Sequence, residues 1–256
     1  MDTRRPPLWW ELPLAGLTFA VCMTLPRAPL LGDRRSAARS NAERIVGWES
    51  VLRIDITEPL NQWFARQGWA TVLAGYHYAS VYVLTSIALV VYLYLRNPPM
   101  YRWARRSTIM LNVIAAVCFA LFPVAPPRLN PRLSIEDTVE RQHIWGTWGS
   151  PVGDVANQFA ALPSLHFAWV LWVLVMLIRT TRSVVLISLA SVDVSLTGAL
   201  VVATGNHYPL DLVAGAALVA IVVPVTHPWD PERRDRFAAR LGPLGKFLRA
   251  HAVLTD

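Results

Sequence analysis

Apolar runs of membrane length recur along this chain, and they limit its fold more than any other feature. A helix needs about 20 mainly apolar residues to cross a hydrocarbon core ~30 Å thick. Six segments approach or reach that length: 8–25, 70–95, 107–124, 164–178, 184–204 and 210–226. In lipid, every backbone polar group must be satisfied within the segment, so such runs form helices. The expected fold is therefore all-α, a polytopic membrane protein built as a six-transmembrane-helix bundle. Composition agrees: 54% of residues are hydrophobic and 16% charged, against about 25% charged in an ordinary soluble domain. The first run carries Glu11 and has no small-x-small cleavage site close behind it, so it reads as a retained span and not a signal peptide. Cys22 and Cys118 both lie inside apolar runs. They read as small core residues, neither a disulfide framework nor a metal set.

The spacing divides the chain into three parts. Residues 1–69 hold the first span and a long polar connection. Residues 70–226 form the main helix bundle, and residues 227–256 a basic tail. Within the connection, Ile45, Trp48, Leu52 and Ile56 recur at helical spacing among charges. That pattern predicts an amphipathic helix, lying on the membrane surface or capping the bundle. The net charge is +7. No basic domain with a nucleic-acid reading motif accompanies it, so nucleic acid is not an expected partner. The arginines instead suggest orientation. Arg96, Arg102, Arg105 and Arg106 follow the second span, Arg179 and Arg182 the fourth, and Arg233, Arg234 and Arg236 the sixth. With six spans these sites and the N-terminus share one side, which the positive-inside tendency makes cytoplasmic. The basic first connection runs against this assignment.

Polar groups gather at the ends of the apolar runs on the other side. "FPVAPPRL" closes the third span with Arg128. "PSLH" opens the fourth with Ser164 and His166. "NHYPLD" opens the sixth with Asn206, His207, Tyr208 and Asp211. Alternating spans bring all three to one level. Pro209 disfavours helix at Tyr208 and suits a first helical position, so His207 sits just outside the helix and Asp211 in its first turn. A carboxylate there can hold one imidazole nitrogen and leave the other to attack. Free N–H groups at the "PSLH" helix start can bind phosphate oxygens, and His166 can protonate a leaving oxygen. Singly, each group has a structural reading as well: a helix cap, a dipole partner or a headgroup anchor.

"PPR…PSLH…HYPLD" resembles the three-part signature of the type 2 phosphatidic acid phosphatase superfamily, over residues 70–225. The likeness is nearest to its branch containing fungal inositol phosphorylceramide synthase. The resemblance implies a six-helix bundle and metal-independent phosphoryl transfer with no cofactor. It implies His207 as nucleophile, Asp211 as its partner and His166 as acid, with Arg128 and Ser164 on the phosphate. The substrate implied is a membrane lipid phosphate or phosphodiester, and the acceptor is water or a polyol or sugar such as inositol. Two positions depart from the usual signature: Leu121 stands where a lysine is usual, and Val201 where an arginine is usual. Arg132 or Arg141 could supply the missing charge.

His77, inside the second span, reads either as a substrate or acceptor contact or as a hydrogen-bonding group within the bundle. Asn206 and Tyr208 are further candidate contacts. Asp193 lies in the middle of the fifth span, where a carboxylate is either functional or buried in helix packing, with Asn112 as a candidate partner. His143 reads as a loop residue beside Trp145 and Trp148; His227 and His251 read as surface groups. The competing class is a transporter or binding protein for an anionic lipid. It is disfavoured because the histidines sit at span ends and no inverted repeat is visible. The active site is expected at the extracytoplasmic face of a cell membrane.

Overall fold

The computed structural model describes residues 5–27, 33–142 and 157–228. The described helices are α1 (Leu8–Thr24), α2 (Arg34–Leu52), α3 (Thr57–Ala65), α4 (Gly68–Arg96), α5 (Pro98–Leu121), α6 (Leu165–Thr180), α7 (Val184–Ala203) and α8 (Pro209–Val225). A π-helical turn, His77–Val81, interrupts α4. His143, Trp145, Trp148, His251 and the tail arginines lie outside the described residues.

Among the described residues, four helical stretches are long and apolar enough to cross a membrane: Leu8–Arg27, Gly68–Arg96, Pro98–Leu121 and Val184–Ala203. They make this a multi-pass membrane protein. The expected count of six is not reached by length, because α6 has 16 residues and α8 has 17. At 1.5 Å per residue these are about 24–26 Å long. Their starts explain the shortfall. Ser164 caps α6, its Oγ accepting from the Phe167 N–H at 3.4 Å. Pro209 occupies the first position of α8, where its missing N–H costs nothing.

Two further boundaries differ from the sequence expectation. The third long helix begins at Pro98, not near 107, because Asn97 caps it: the Asn97 Oδ1 accepts from Met100 N–H at 3.4 Å. Arg102, Arg105 and Arg106 therefore ride on α5, and Asn97 alone links it to α4. The amphipathic segment ends at Leu52, where Arg53 adopts a left-handed conformation with φ of 57°. Of the expected stripe only Ile45 is buried; Trp48, Leu52 and Ile56 are exposed. The inward face of α2 is Ala38, Asn41, Ala42, Ile45 and Glu49. Asn41 donates to the Pro123 carbonyl at 2.9 Å, and Glu49 accepts from the Leu210 N–H at 2.8 Å. The helix is thus a cap on one end of the bundle.

Contacts define the two ends. At one end, Tyr94 donates to the Pro6 carbonyl and the Trp103 indole N–H to the Val223 carbonyl. At the other, α3 inserts Asn61, which donates to the Ala203 and Glu136 carbonyls and accepts from the Glu136 N–H. The core between them is made by α4, α5, α6 and α8, through residues such as Leu93, Leu111, Ala115, Trp172, Met176 and Val222. Trp172, buried there, donates its N–H to the Ser107 hydroxyl at 2.9 Å, as a dry indole requires.

Candidate active site

The three polar motifs meet at the α2-capped end, and backbone hydrogen bonds tie them together. Val124 pairs with Ala160 as an isolated bridge: Val124 N–H donates to the Phe159 carbonyl and Ala161 N–H to the Val124 carbonyl. Arg128 N–H donates to the Gly205 carbonyl, and Ser164 N–H to the Asp211 carbonyl. Gly205 has φ of 73°, and a Cβ there would stand 2.4 Å from Ile135 Cγ2. Gly215 allows α8 to approach the α6 start, since a Cβ would lie 2.7 Å from the Ser164 carbonyl oxygen.

His207 is buried, and its Nδ1 faces two acceptors: the Ala161 carbonyl at 2.9 Å and Asp211 Oδ2 at 3.3 Å. Two acceptors at one nitrogen assign the ring proton to Nδ1 and leave Nε2 as the basic nitrogen. Asp211 Oδ2 also accepts from the Tyr208 N–H at 2.8 Å, so the carboxylate is held by the turn that positions the histidine. Asp211 is fully buried.

His166 stands next to His207, with ring centroids 5.6 Å apart and the rings at 63°. Tyr78 stacks on His166 at 4.3 Å, and Tyr82 lies 4.3 Å away at a steeper tilt. Both tyrosines come from the α4 π turn or the residue after it, a common place for such a bulge to act. Arg128 is held by the Asn206 Oδ1, which accepts from its Nε at 3.1 Å, and by Asp137 at 3.4 Å. Burial pulls the Arg128 pKa down from its ordinary value, and the Asp137 charge opposes that shift. His166, His207, Arg128 and Asn206 all border one cavity of about 840 Å³. A group there would meet two imidazoles and a guanidinium, a set suited to an anionic oxyacid.

Other candidates fall elsewhere. Ser164 is buried as the α6 cap. Tyr208 is buried, and Asn130 donates to its hydroxyl at 3.4 Å. Arg132 is exposed and paired with Glu43 at 3.3 Å, and Arg141 is paired with Glu136. Neither borders the cavity. His77 lies against Asp193, its Nε2 2.9 Å from Oδ1. The partners of Asp193 are thus His77 and the Thr197 hydroxyl, which donates at 3.4 Å, and not Asn112, which faces the cavity. His227 packs edge-on against Trp103 at the far end. Sequence reasoning missed the Ala161 carbonyl, Tyr78, Tyr82, Asp137 and Glu49. Among the described residues, no group of three or more His, Cys, Asp or Glu could hold a metal ion.

The fold and site define a multi-pass helical membrane protein with two histidines and an arginine around one cavity, one of the histidines backed by a His-x3-Asp pair. The particular family follows from the sequence itself: the chain belongs to the PAP2 superfamily, whose model matches residues 43–225. Membership points to a phosphatase-like activity. No curated protein matches the chain, and no solved structure matches it.

Proposed function

We propose that the protein is an integral membrane lipid phosphatase or phosphotransferase working through a phosphohistidine, without a metal. The observation that carries this reading is the pair of acceptors on His207 Nδ1, at 2.9 and 3.3 Å, which leaves Nε2 as the nucleophile beside His166. Nε2 attacks phosphorus, the ester P–O bond breaks, and His166, charged only once the anionic phosphate is beside it, delivers its proton to the departing oxygen. His166 then takes a proton from the acceptor hydroxyl. The acceptor oxygen attacks phosphorus, the P–N bond breaks, and the electron pair returns to His207. Arg128 balances charge on the equatorial oxygens, and the Nδ1–H bonds to Ala161 and Asp211 stabilise the imidazolium-like product. Water as acceptor makes the reaction hydrolysis; a polyol or sugar hydroxyl such as that of inositol makes it transfer, as in the inositol phosphorylceramide synthase branch. Asn206, which borders the cavity beside Arg128, is the candidate contact for substrate or acceptor; His77, Arg132 and Tyr208 do not line it.

In this reading α6 and α8 complete six spans. The α8 start meets Glu49 of α2 and Asn130, and the stretch before α6 pairs with Val124, so their polar groups sit recessed and not in lipid. The site would face the extracytoplasmic side. The test is turnover by purified protein in EDTA, using a panel of lipid phosphates and phosphodiesters with and without inositol. Acid-labile, base-stable labelling from ³²P-lipid is expected on wild type and not on His207→Ala. Full turnover with no such label, or loss of turnover in EDTA restored by one metal, refutes the mechanism.

A further inference from the structure

The cavity does not stop at the histidines. It continues between α1 on one side and α4 and α5 on the other, as far as Glu11, Tyr101 and Arg105 at the opposite end of the bundle. On α5 the wall runs from Phe119 to Arg105. Fourteen residues at 1.5 Å each make about 21 Å, whereas one leaflet of hydrocarbon is about half of ~30 Å. The groove therefore passes the bilayer midplane. On α1 the lining residues, among them Leu14, Thr18 and Cys22, recur every three or four positions and form one face. Trp10 and Leu17, on the other face, are exposed. The far end is polar: Glu11, itself buried, pairs with Arg105 and accepts from the Tyr101 hydroxyl at 2.6 Å. An intramembrane carboxylate so fully paired is explained structurally by closing the groove.

We propose that this groove holds one long hydrocarbon chain of the substrate, with α1 as its outer wall and the Glu11–Arg105–Tyr101 cluster as its floor. The inference rests on the phosphoryl-transfer reading and deepens it: the substrate is a lipid phosphate whose chain is longer than one leaflet. The occupant follows from continuity, since the same cavity wall carries His166, His207 and Arg128. The floor follows from desolvation, because an apolar chain pushed past the pair would have to strip or break it. The device also gives α1 a purpose of its own, since it lies outside the residues matched by the family model, 43–225.

Two measurements test the proposal. The first compares octadecyl phosphate with hexyl phosphate, for wild type and for Thr18→Trp, which fills the groove midway. The octadecyl-to-hexyl ratio of kcat/KM should be well above one for wild type and fall at least tenfold in the variant. An equal loss on both substrates, or an unchanged ratio, overturns the groove. The second uses folded wild-type protein and needs no turnover: an octadecyl phosphonate carrying a diazirine at its chain end is photolysed on the enzyme. Labelling at Glu11, Leu14, Ala15 or Thr18, or at Tyr101, Arg105 or Thr108, is expected. Labelling confined to outward residues such as Trp10 and Leu17, or absent from α1 and α5, refutes it. Failure of wild type to turn over any lipid phosphate or phosphodiester of the panel sinks the phosphoryl-transfer reading, while the crosslink still decides the groove.

Discussion

His207 is oriented by two different kinds of partner, and they should be separable by mutation. The Ala161 carbonyl is the nearer acceptor, at 2.9 Å, and no side-chain substitution removes it. His207→Ala should lower turnover by at least about a thousandfold, the scale of losing a nucleophile. Asp211→Asn should cost less, because the carbonyl still holds Nδ1–H. Equal losses in the two variants, measured as kcat/KM on one lipid phosphate, would contradict this ranking. His77 and Asp193 form a second His–Asp contact, at 2.9 Å, away from the cavity. Its expected role is helix packing between α4 and α7. In a double-mutant cycle of His77→Ala and Asp193→Ala, thermal unfolding should show a coupling of about 1 kcal/mol. A rise in KM from His77→Ala with no change in unfolding would instead make His77 a substrate contact.

At the scale of elements, α2 is the part whose role changed most between pattern and structure. Its exposed Trp48, Val51 and Leu52 face outward, while Glu49 reaches the first turn of α8 and accepts from Leu210 N–H. Burial raises the Glu49 pKa from its ordinary 4.5 to about 7; the Leu210 bond opposes the shift, and the Asp211 and Asp55 charges add to it. The folded state thus binds a proton that the unfolded chain releases. Stability from this group is fully present below about 4.5 and is lost as pH rises through about 7. The thermal midpoint of wild type in detergent should fall between pH 5 and pH 8, and Glu49→Gln should flatten that slope. Parallel slopes in the two proteins would show that Glu49 is not the titrating group. The close approach at Gly215 makes a similar claim for α8: Gly215→Ala must push the Ser164 carbonyl away, and with it the bond from Ser164 N–H to the Asp211 carbonyl.

For the whole molecule the open question is direction across the membrane. The arginines on α5 and after α6 lie at the end opposite the histidines, which agrees with an extracytoplasmic site. Single cysteines test it in a background lacking Cys22 and Cys118. Arg132 and Arg182 are both exposed and at opposite ends. An impermeant thiol reagent on intact cells should label Arg132→Cys and spare Arg182→Cys. The reverse pattern would move the reaction to the cytoplasm.

Local grammar was legible without coordinates. Apolar length announced helices and a membrane. Pro209 with His207 and Asp211 announced a helix start carrying a His–carboxylate pair, because an (i, i+4) relation needs only the backbone's own period. The family motifs were legible for the same reason, each being short and continuous. Contacts between distant segments left no such trace. The Ala161 carbonyl lies 46 residues from His207, Asp193 lies 116 from His77, and Glu49 lies 161 from Leu210. A carbonyl has no side-chain signature, and an exposed-looking charge pattern on α2 hid a buried face of alanines. The groove is the extreme case: α1 reads in sequence as one more span with an awkward Glu11. Only packing against α4 and α5 sets its inward face opposite theirs and pairs Glu11 with Arg105, because cavities are made by the surfaces that meet and not by any one of them.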